Sequence, residues 1–119
     1  MSCIVGIYHT DGSPVDPAQV TRLSQAIAHR GPDGEGRWID GSVGLGHRLL
    51  HTTPESLHET QPFISDEGHL VIVADARIDN RDEVKAALTS PLRTDTDVEL
   101  ILKAYERWGE ACLGELRGM

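Results

Sequence analysis

The sequence has few cysteines, no long apolar run and no secretory leader pattern, and each absence excludes a class of protein. Its two cysteines, Cys3 and Cys112, are too few for a disulfide scaffold, and cytosolic chains keep such thiols reduced. No apolar run approaches the ~20 residues that a membrane-spanning helix needs. No basic region precedes an apolar stretch at the N-terminus, so no signal peptide is visible. We therefore expect a cytoplasmic chain without a membrane partner.

Positive charge is also scarce. The chain has 11 Lys and Arg residues against 19 Asp and Glu residues, which gives a net charge of -8 at pH 7. Non-specific binding to nucleic acid requires clustered Lys and Arg, whereas the arginines here are scattered. We therefore expect no nucleic-acid partner. The length of 119 residues and the apolar fraction of 39% are typical of one globular domain.

Apolar spacing predicts the order strand, helix, hairpin, loop, strand, helix, helix. Asp16 and Asn80 are predicted to cap the first two helices, and Thr96 with Glu99 forms a capping-box pattern for the third. In the first helix, Val20, Leu23 and Ile27 fall on one face. Grouped strands and helices predict an α+β fold in a layered αββα arrangement. The predicted strands cover residues 3–9, 36–40, 43–50 and 69–78, of which the last is the strongest, and the helices cover 16–30, 80–88 and 96–113.

A group of histidines and a glycine-rich stretch suggest a metal site and a phosphate loop, but neither matches the pattern that such a site requires. His47, His51 and His58 lie within twelve residues, but their spacing matches no zinc pattern and neither cysteine is near, so we expect no metal site. The stretch "GPDGEG" follows a helix and precedes a strand, the reverse of a phosphate loop, and it lacks a lysine. It predicts a tight turn whose glycines supply unusual φ values.

The opening "MSCIVGIY" could carry a catalytic nucleophile at Ser2 or Cys3, or it could be only the first strand of the core. An N-terminal nucleophile uses its own α-amine as the general base, and Ser2 would become terminal if Met1 were removed. Cys3 would not be terminal without further trimming, and it can also be read as a small strand residue. The acidic Asp95, Asp97 and Glu99 are typical of a helix N-terminus, and one of them could alternatively pair with an ammonium group.

Several stretches, in order, resemble the class II glutamine amidotransferase domain of glutamine-dependent asparagine synthetases. They are "IVGIY", "HRGPDGEG", "VGLGHRLL", "QPF", "TDVELILKAYERWG" and "LRGM". The resemblance covers residues 1–119 and implies an N-terminal-nucleophile hydrolase fold, an αββα sandwich, truncated at its C-terminal end. It also implies glutamine hydrolysis, with ammonia passed to a C-terminal synthetase domain that is absent here.

The same resemblance implies the site residues. Ser2 falls at the nucleophile position and Cys3 one position later. The candidate substrate-binding residues are Arg48, Asp75, Ala76 and Asp97, of which Asp97 matches the acid that holds the glutamine α-ammonium. The segment Arg30, Gly31, Pro32 and Asp33 matches the structural loop of the family.

Three departures from the family pattern predict a degenerate site. Active members begin Met-Cys-Gly, so Ser2 stands at the position of the nucleophilic cysteine and Cys3 is displaced by one. Leu49 replaces an arginine that grips the substrate carboxylate, and leucine offers no donor fork. Asp75 and Ala76 replace the Asn-Gly pair of the oxyanion hole, and an ionised Asp accepts hydrogen bonds without donating them. The stretches "HTTPESLHETQP" and "ADARIDNRDE" resemble the branch of the family that contains β-lactam synthetases and lasso-peptide cyclases.

We therefore expect the N-terminal domain of an ATP-dependent amide-forming enzyme with impaired glutaminase activity. An active glutaminase that supplies ammonia for asparagine synthesis and a stand-alone amino-acid-binding module are the alternatives. The expected partners are the synthetase domain, glutamine or another amino acid, and a second copy in a homodimer. No cofactor is expected in this chain, and ATP and Mg²⁺ are expected in the synthetase domain.

Overall fold

The computed structural model describes residues 2–118, which form two compact units. The first unit comprises residues 2–52, 60–62 and 73–75, and the second comprises residues 53–59, 63–72 and 76–118. Both units combine helical and strand segments, so the predicted α+β class is confirmed. Among the described residues, no helix is long and apolar enough to cross a membrane.

The first unit is built on a three-stranded antiparallel sheet. Its strands are β1 (Cys3–Tyr8), β2 (Gly34–Asp40) and β3 (Val43–Leu49), in the order β1-β3-β2. The predicted hairpin is confirmed, because Asp40 faces Val43 across the turn. Gly41 has a φ of 56° there, a left-handed conformation that glycine adopts without a steric penalty.

Helix α1 (Pro17–Ala26) packs on this sheet over two glycines of β3. A Cβ atom on Gly44 would lie 2.8 Å from Cγ2 of Val20, and one on Gly46 would lie 3.3 Å from Cγ1 of the same residue. Val20 is almost fully buried in the space that they leave. The glycines of "VGLGHRLL" therefore permit close approach of helix and sheet.

The predicted start of α1 is confirmed, whereas its predicted end is wrong. Asp16 caps the helix, since its Oδ1 accepts a hydrogen bond from the Ala18 amide at 2.9 Å. The helix ends at Ala26, and a separate 3-10 turn covers Ala28–Arg30. Leu23 is 44% exposed, and Ser24 is buried because its hydroxyl binds an arginine of the sheet.

The strand predicted over residues 69–78 is mostly absent. Only β5 (Val71–Ile72) forms, paired with the equally short β4 (Phe63–Ile64) in the second unit. Residues 73–75 instead belong to the first unit, where the side chain of Gln61 takes both backbone hydrogen-bonding groups of Ala74. A side chain thus replaces the neighbouring strand that the apolar run predicts. The predicted loop over 51–62 contains one 3-10 turn, Glu55–His58.

The second unit is dominated by helices α2 (Arg81–Leu88) and α3 (Asp97–Trp108), followed by a 3-10 segment, Gly109–Gly114. Leu88 and Leu100 lie in its apolar core together with Val84. The Thr96 cap of α3 is confirmed, because Thr96 Oγ1 accepts a hydrogen bond from the Glu99 amide at 3.4 Å.

The predicted Asn80 cap of α2 is wrong. Its side chain makes no cap hydrogen bond and instead bonds residues near the end of the unit. Asn80 Nδ2 donates to the Glu115 carbonyl, and Oδ1 accepts from the Arg117 amide, each at 2.9 Å. The side chain therefore stabilises a contact between distant segments.

Candidate active site

Ser2 and Cys3 are placed differently by the first unit. Ser2 is buried, and its Oγ accepts a hydrogen bond from the Leu50 amide at 3.1 Å. Cys3 is half-buried and begins β1 opposite Arg48. Ser2 precedes the strand, whereas Cys3 is its first residue, so the two side chains have different surroundings. The predicted removal of Met1 concerns a residue outside the described part of the chain.

The loop at residues 30–33 is fastened to the end of β3. A Cβ atom on Gly31 would lie 2.5 Å from the Arg48 carbonyl carbon. Asp33 donates its amide to the Leu49 carbonyl at 2.9 Å and accepts the His51 amide on Oδ2 at 2.8 Å. Arg30 ends the 3-10 turn and Pro32 is exposed. The loop thereby fixes the segment whose Leu50 amide binds Ser2.

The prediction that these glycines supply unusual φ values is wrong. Gly31 has a φ of -141°, and neither Gly34 nor Gly36 has a positive φ. At Gly31 and Gly36 the requirement is space, because backbone atoms of Arg48 and Gln61 lie where each Cβ would stand, whereas a Cβ on Gly34 would lie 3.6 Å from the nearest atom, an ordinary contact.

Arg48 and Leu49 lie on opposite faces of the sheet. The Nε of Arg48 donates to Oγ of Ser24 at 2.8 Å and to its carbonyl at 3.1 Å, and Nη2 pairs with Oε2 of Glu35 at 2.5 Å. The guanidinium thus links the sheet to α1, and its predicted contact with substrate stays a prediction. Leu49 is buried over Gly34 and offers no polar group.

Asp75 follows a firmly held residue. Gln61 Nε2 donates to the Ala74 carbonyl at 3.0 Å, and Gln61 Oε1 accepts the Ala74 amide at 2.7 Å. Burial lowers the pKa of His47, although the Ala74 backbone and the Asp75 charge oppose that shift. Asp75 itself is exposed.

The other two candidate residues, Ala76 and Asp97, belong to the second unit. Ala76 is exposed, whereas Asp97 begins α3 with most of its side chain buried. Oδ2 of Asp97 accepts the Ile78 amide at 3.1 Å, and Oδ1 forms an ion pair with Nη1 of Arg81. Both oxygens of the acid are therefore engaged by its own unit.

Arg81 also contacts the neighbouring acid. Its Nη2 donates to the Asp95 carbonyl at 2.5 Å and to Oδ1 at 3.1 Å, and Lys85 pairs with the same carboxylate at 2.5 Å. The Lys85 hydrogen bond, followed by the charges of Lys85 and Arg81, lowers the pKa of Asp95. Two basic residues of α2 thus neutralise the acidic start of α3.

Sequence reasoning missed the roles of Gln61 and Arg81. Gln61 was visible only as part of "QPF", and its burial has no local signal because its partner lies thirteen residues away. Arg81 is one of several scattered arginines, and no periodicity distinguishes it. Among residues 2–118, no group of three His, Cys, Asp or Glu side chains could hold a metal ion.

Each unit also carries a surface cavity that contains none of the candidate residues. A cavity of about 310 Å³ in the first unit is lined by Ile7, His9, Gln19, Arg22 and Leu23. One of about 450 Å³ in the second unit is lined by Ser65, Asp66, Glu67, His69, Leu70, Tyr105 and Glu106. The candidate chemistry therefore does not coincide with either cavity.

Comparison with known proteins gives consistent matches. A family model for a glutamine amidotransferase domain matches residues 1–119. The chain is 37% identical over 124 residues to a probable glutamine-hydrolysing asparagine synthetase of Schizosaccharomyces pombe, which covers 100% of this chain and 22% of that protein. It is 34% identical over 98 residues to glutamine-hydrolysing asparagine synthetase 2 of Bacillus subtilis, covering 82% of this chain and 13% of that protein.

A third similar protein is a putative glutamine-hydrolysing asparagine synthetase 2 of Methanocaldococcus jannaschii. The identity is 32% over 126 residues, which covers 91% of this chain and 24% of that protein. The chain therefore spans less than a quarter of the length of each of these three relatives.

Proposed function

This chain belongs to the class II glutamine amidotransferase domains of the asparagine synthetase family, and we propose that its own glutamine hydrolysis is impaired. In this proposal it is the N-terminal domain of an ATP-dependent amide-forming enzyme and contributes to an αββα sandwich. Its partner is a synthetase domain like the one implied by the longer relatives. ATP and Mg²⁺ would act in that domain.

The observation that carries the proposal is the buried Leu49 next to the nucleophile position. Leu49 lies one residue before Leu50, whose amide holds the Ser2 hydroxyl. Active members of the family have an arginine at this position, and a guanidinium can bind a carboxylate through two parallel hydrogen bonds. An apolar side chain that is only 7% exposed cannot supply either bond. Glutamine would therefore lose the main anchor for its carboxylate.

The site at Asp75 supports the same conclusion. The resemblance places an oxyanion-hole donor at this position, and an ionised carboxylate cannot donate a hydrogen bond. Its negative charge would also repel the oxyanion that forms during amide hydrolysis. Loss of one such donor lowers kcat by about 10²–10³.

The Asp97–Arg81 pair is a further supporting feature. The resemblance assigns Asp97 to the α-ammonium group of glutamine, but Arg81 forms an ion pair with one carboxylate oxygen and the Ile78 amide binds the other. A substrate ammonium would compete with an internal guanidinium for the same oxygen. We therefore expect weak binding of free amino acids.

The test is reaction of the 119-residue chain with a glutamine-like diazoketone, followed by intact mass. The same measurement shows which molecules have lost Met1, and only these are scored. We expect no adduct, together with ammonia release from L-glutamine at the level of buffer alone. The glutamine-hydrolysing synthetase of B. subtilis serves as the positive control for the reagent.

A stoichiometric adduct would contradict the proposal and favour the second candidate, an active glutaminase. The buried Ser2 hydroxyl, held by the Leu50 amide, is the feature that favours this candidate. The variants Ser2→Ala and Cys3→Ser would then show which residue carries the adduct.

A further inference from the structure

Gln61 acts on Ala74 as a neighbouring strand would. Its side-chain amide donates to the Ala74 carbonyl at 3.0 Å and accepts the Ala74 amide at 2.7 Å. Gln61 is only 6% exposed, so water does not compete effectively for these two bonds. A pair of hydrogen bonds between one side chain and one backbone residue fixes both position and direction.

The backbone at Gln61 lies close to the sheet because residue 36 is a glycine and has no side chain. Gly36 lies in β2 opposite His47 of β3, and the Gln61 carbonyl occupies the place where a Cβ of residue 36 would stand. A Cβ on Gly36 would also lie 3.1 Å from Cδ of Pro62. The backbone at residues 61–62 therefore lies directly on the sheet surface.

We propose that Gln61 is a positioning residue of the candidate site: it fixes the Ala74 backbone and, through it, the direction in which Asp75 is presented. The inference rests on the proposed function in one respect, namely that Asp75 belongs to the site. Gln61 is not required to touch a ligand. Its effect is transmitted through the peptide bond between Ala74 and Asp75.

The test uses NMR on the 119-residue chain, with two substitutions of similar size to glutamine. Gln61→Met removes both hydrogen bonds, so hydrogen-exchange protection of the Ala74 amide should fall at least tenfold at every pH. Gln61→Glu keeps an acceptor for the Ala74 amide but loses the donor to its carbonyl while the introduced carboxyl group is ionised. Protection should therefore fall at pH 7.5 and recover as the pH drops and that group is protonated.

Gln25→Glu is the matched control, because it adds the same charge on the exposed surface of α1. It should leave Ala74 protection unchanged at every pH. A residue that only stabilised the fold would lower the protection of the amides in β1, β2 and β3 by the same factor, whereas a positioning role lowers protection at Ala74 alone. Unchanged Ala74 protection in Gln61→Met, or a loss in Gln61→Glu that low pH does not reverse, would overturn the role of Gln61.

The bond between Gln61 and Ala74 is also tested without a substitution. In the unaltered chain at pH 7.5 the Ala74 amide should be protected from hydrogen exchange, because Gln61 Oε1 accepts it at 2.7 Å, and an unprotected Ala74 amide would overturn the proposal. That result stands even if a Gln61 variant does not fold. No readout here involves glutamine, so glutaminase activity in the adduct experiment would refute the proposed function and leave this inference intact.

Discussion

The buried carboxylate of Glu99 offers the sharpest test of how the second unit is held together. Glu99 is fully buried and accepts four hydrogen bonds from the loop that precedes α3. Its Oε2 accepts the Arg93 amide at 2.7 Å. Its Oε1 accepts the Thr94 amide at 2.7 Å, the Thr94 hydroxyl at 2.9 Å and the Asp95 amide at 3.1 Å. The carboxylate therefore organises the whole turn into the helix.

Replacement of Glu99 by glutamine should be strongly destabilising although the shapes are nearly identical. The amide retains one acceptor oxygen and directs an N–H₂ group at backbone N–H donors. A hydrogen bond to a charged group contributes about 1.5–3 kcal/mol and one to a neutral group about 0.5–1.5 kcal/mol. Loss of charge assistance on the retained bonds and loss of at least one bond together cost about 3–5 kcal/mol. That is a large share of the ~5–15 kcal/mol stability of a typical domain.

The measurement is equilibrium urea unfolding of the 119-residue chain, followed by circular dichroism and tryptophan fluorescence. Glu106→Gln is the control, since Glu106 is exposed on the same helix and its change should stay within about 0.5 kcal/mol. If the free energy of unfolding of Glu99→Gln lies as close to the wild-type value as the control does, the assigned role of Glu99 is wrong.

Two further substitutions test the first unit. Gly31→Ala should lower the free energy of unfolding in urea by about 1–3 kcal/mol, because its Cβ would collide with the Arg48 backbone. Gly114→Ala is the control and should be nearly neutral, since the space around its Cβ is open. Equal effects of the two substitutions would contradict the packing described for Gly31. Since burial lowers the pKa of His47 below its ordinary 6.5, the unfolded chain binds this proton at higher pH than the folded chain. The associated stability is present above pH 6.5 and lost as the pH falls. His47→Gln should flatten the decline, and an unchanged pH profile of the unfolding free energy would refute the assignment.

The functional proposal depends on some features that the sequence shows and on others that only the folded chain shows. Leu49 and Asp75 are visible as substitutions against the family pattern, and their chemical consequence follows from side-chain type alone. The engagement of Asp97 by Arg81 is visible only in the folded second unit. Ser2 is buried beside the Leu50 amide, and its role as the nucleophile stays a prediction.

The sequence by itself determined the elements whose signals are local. The Asp16 cap, the turn of the β2–β3 hairpin and the Thr96 cap are confirmed, because each depends on residues within a few positions of one another. The ordered motifs likewise identified the family, since they require no knowledge of contacts.

Only the tertiary structure decided the features that depend on distant partners. The apolar run at residues 69–78 has the composition of a strand, yet the Gln61 side chain takes the Ala74 backbone groups and the strand shortens to Val71–Ile72. Asparagine often caps helices, yet the side-chain amide of Asn80 forms hydrogen bonds with the backbone of Glu115 and Arg117. A backbone group or side-chain amide binds whichever partner the fold brings near it, and sequence spacing does not encode that choice.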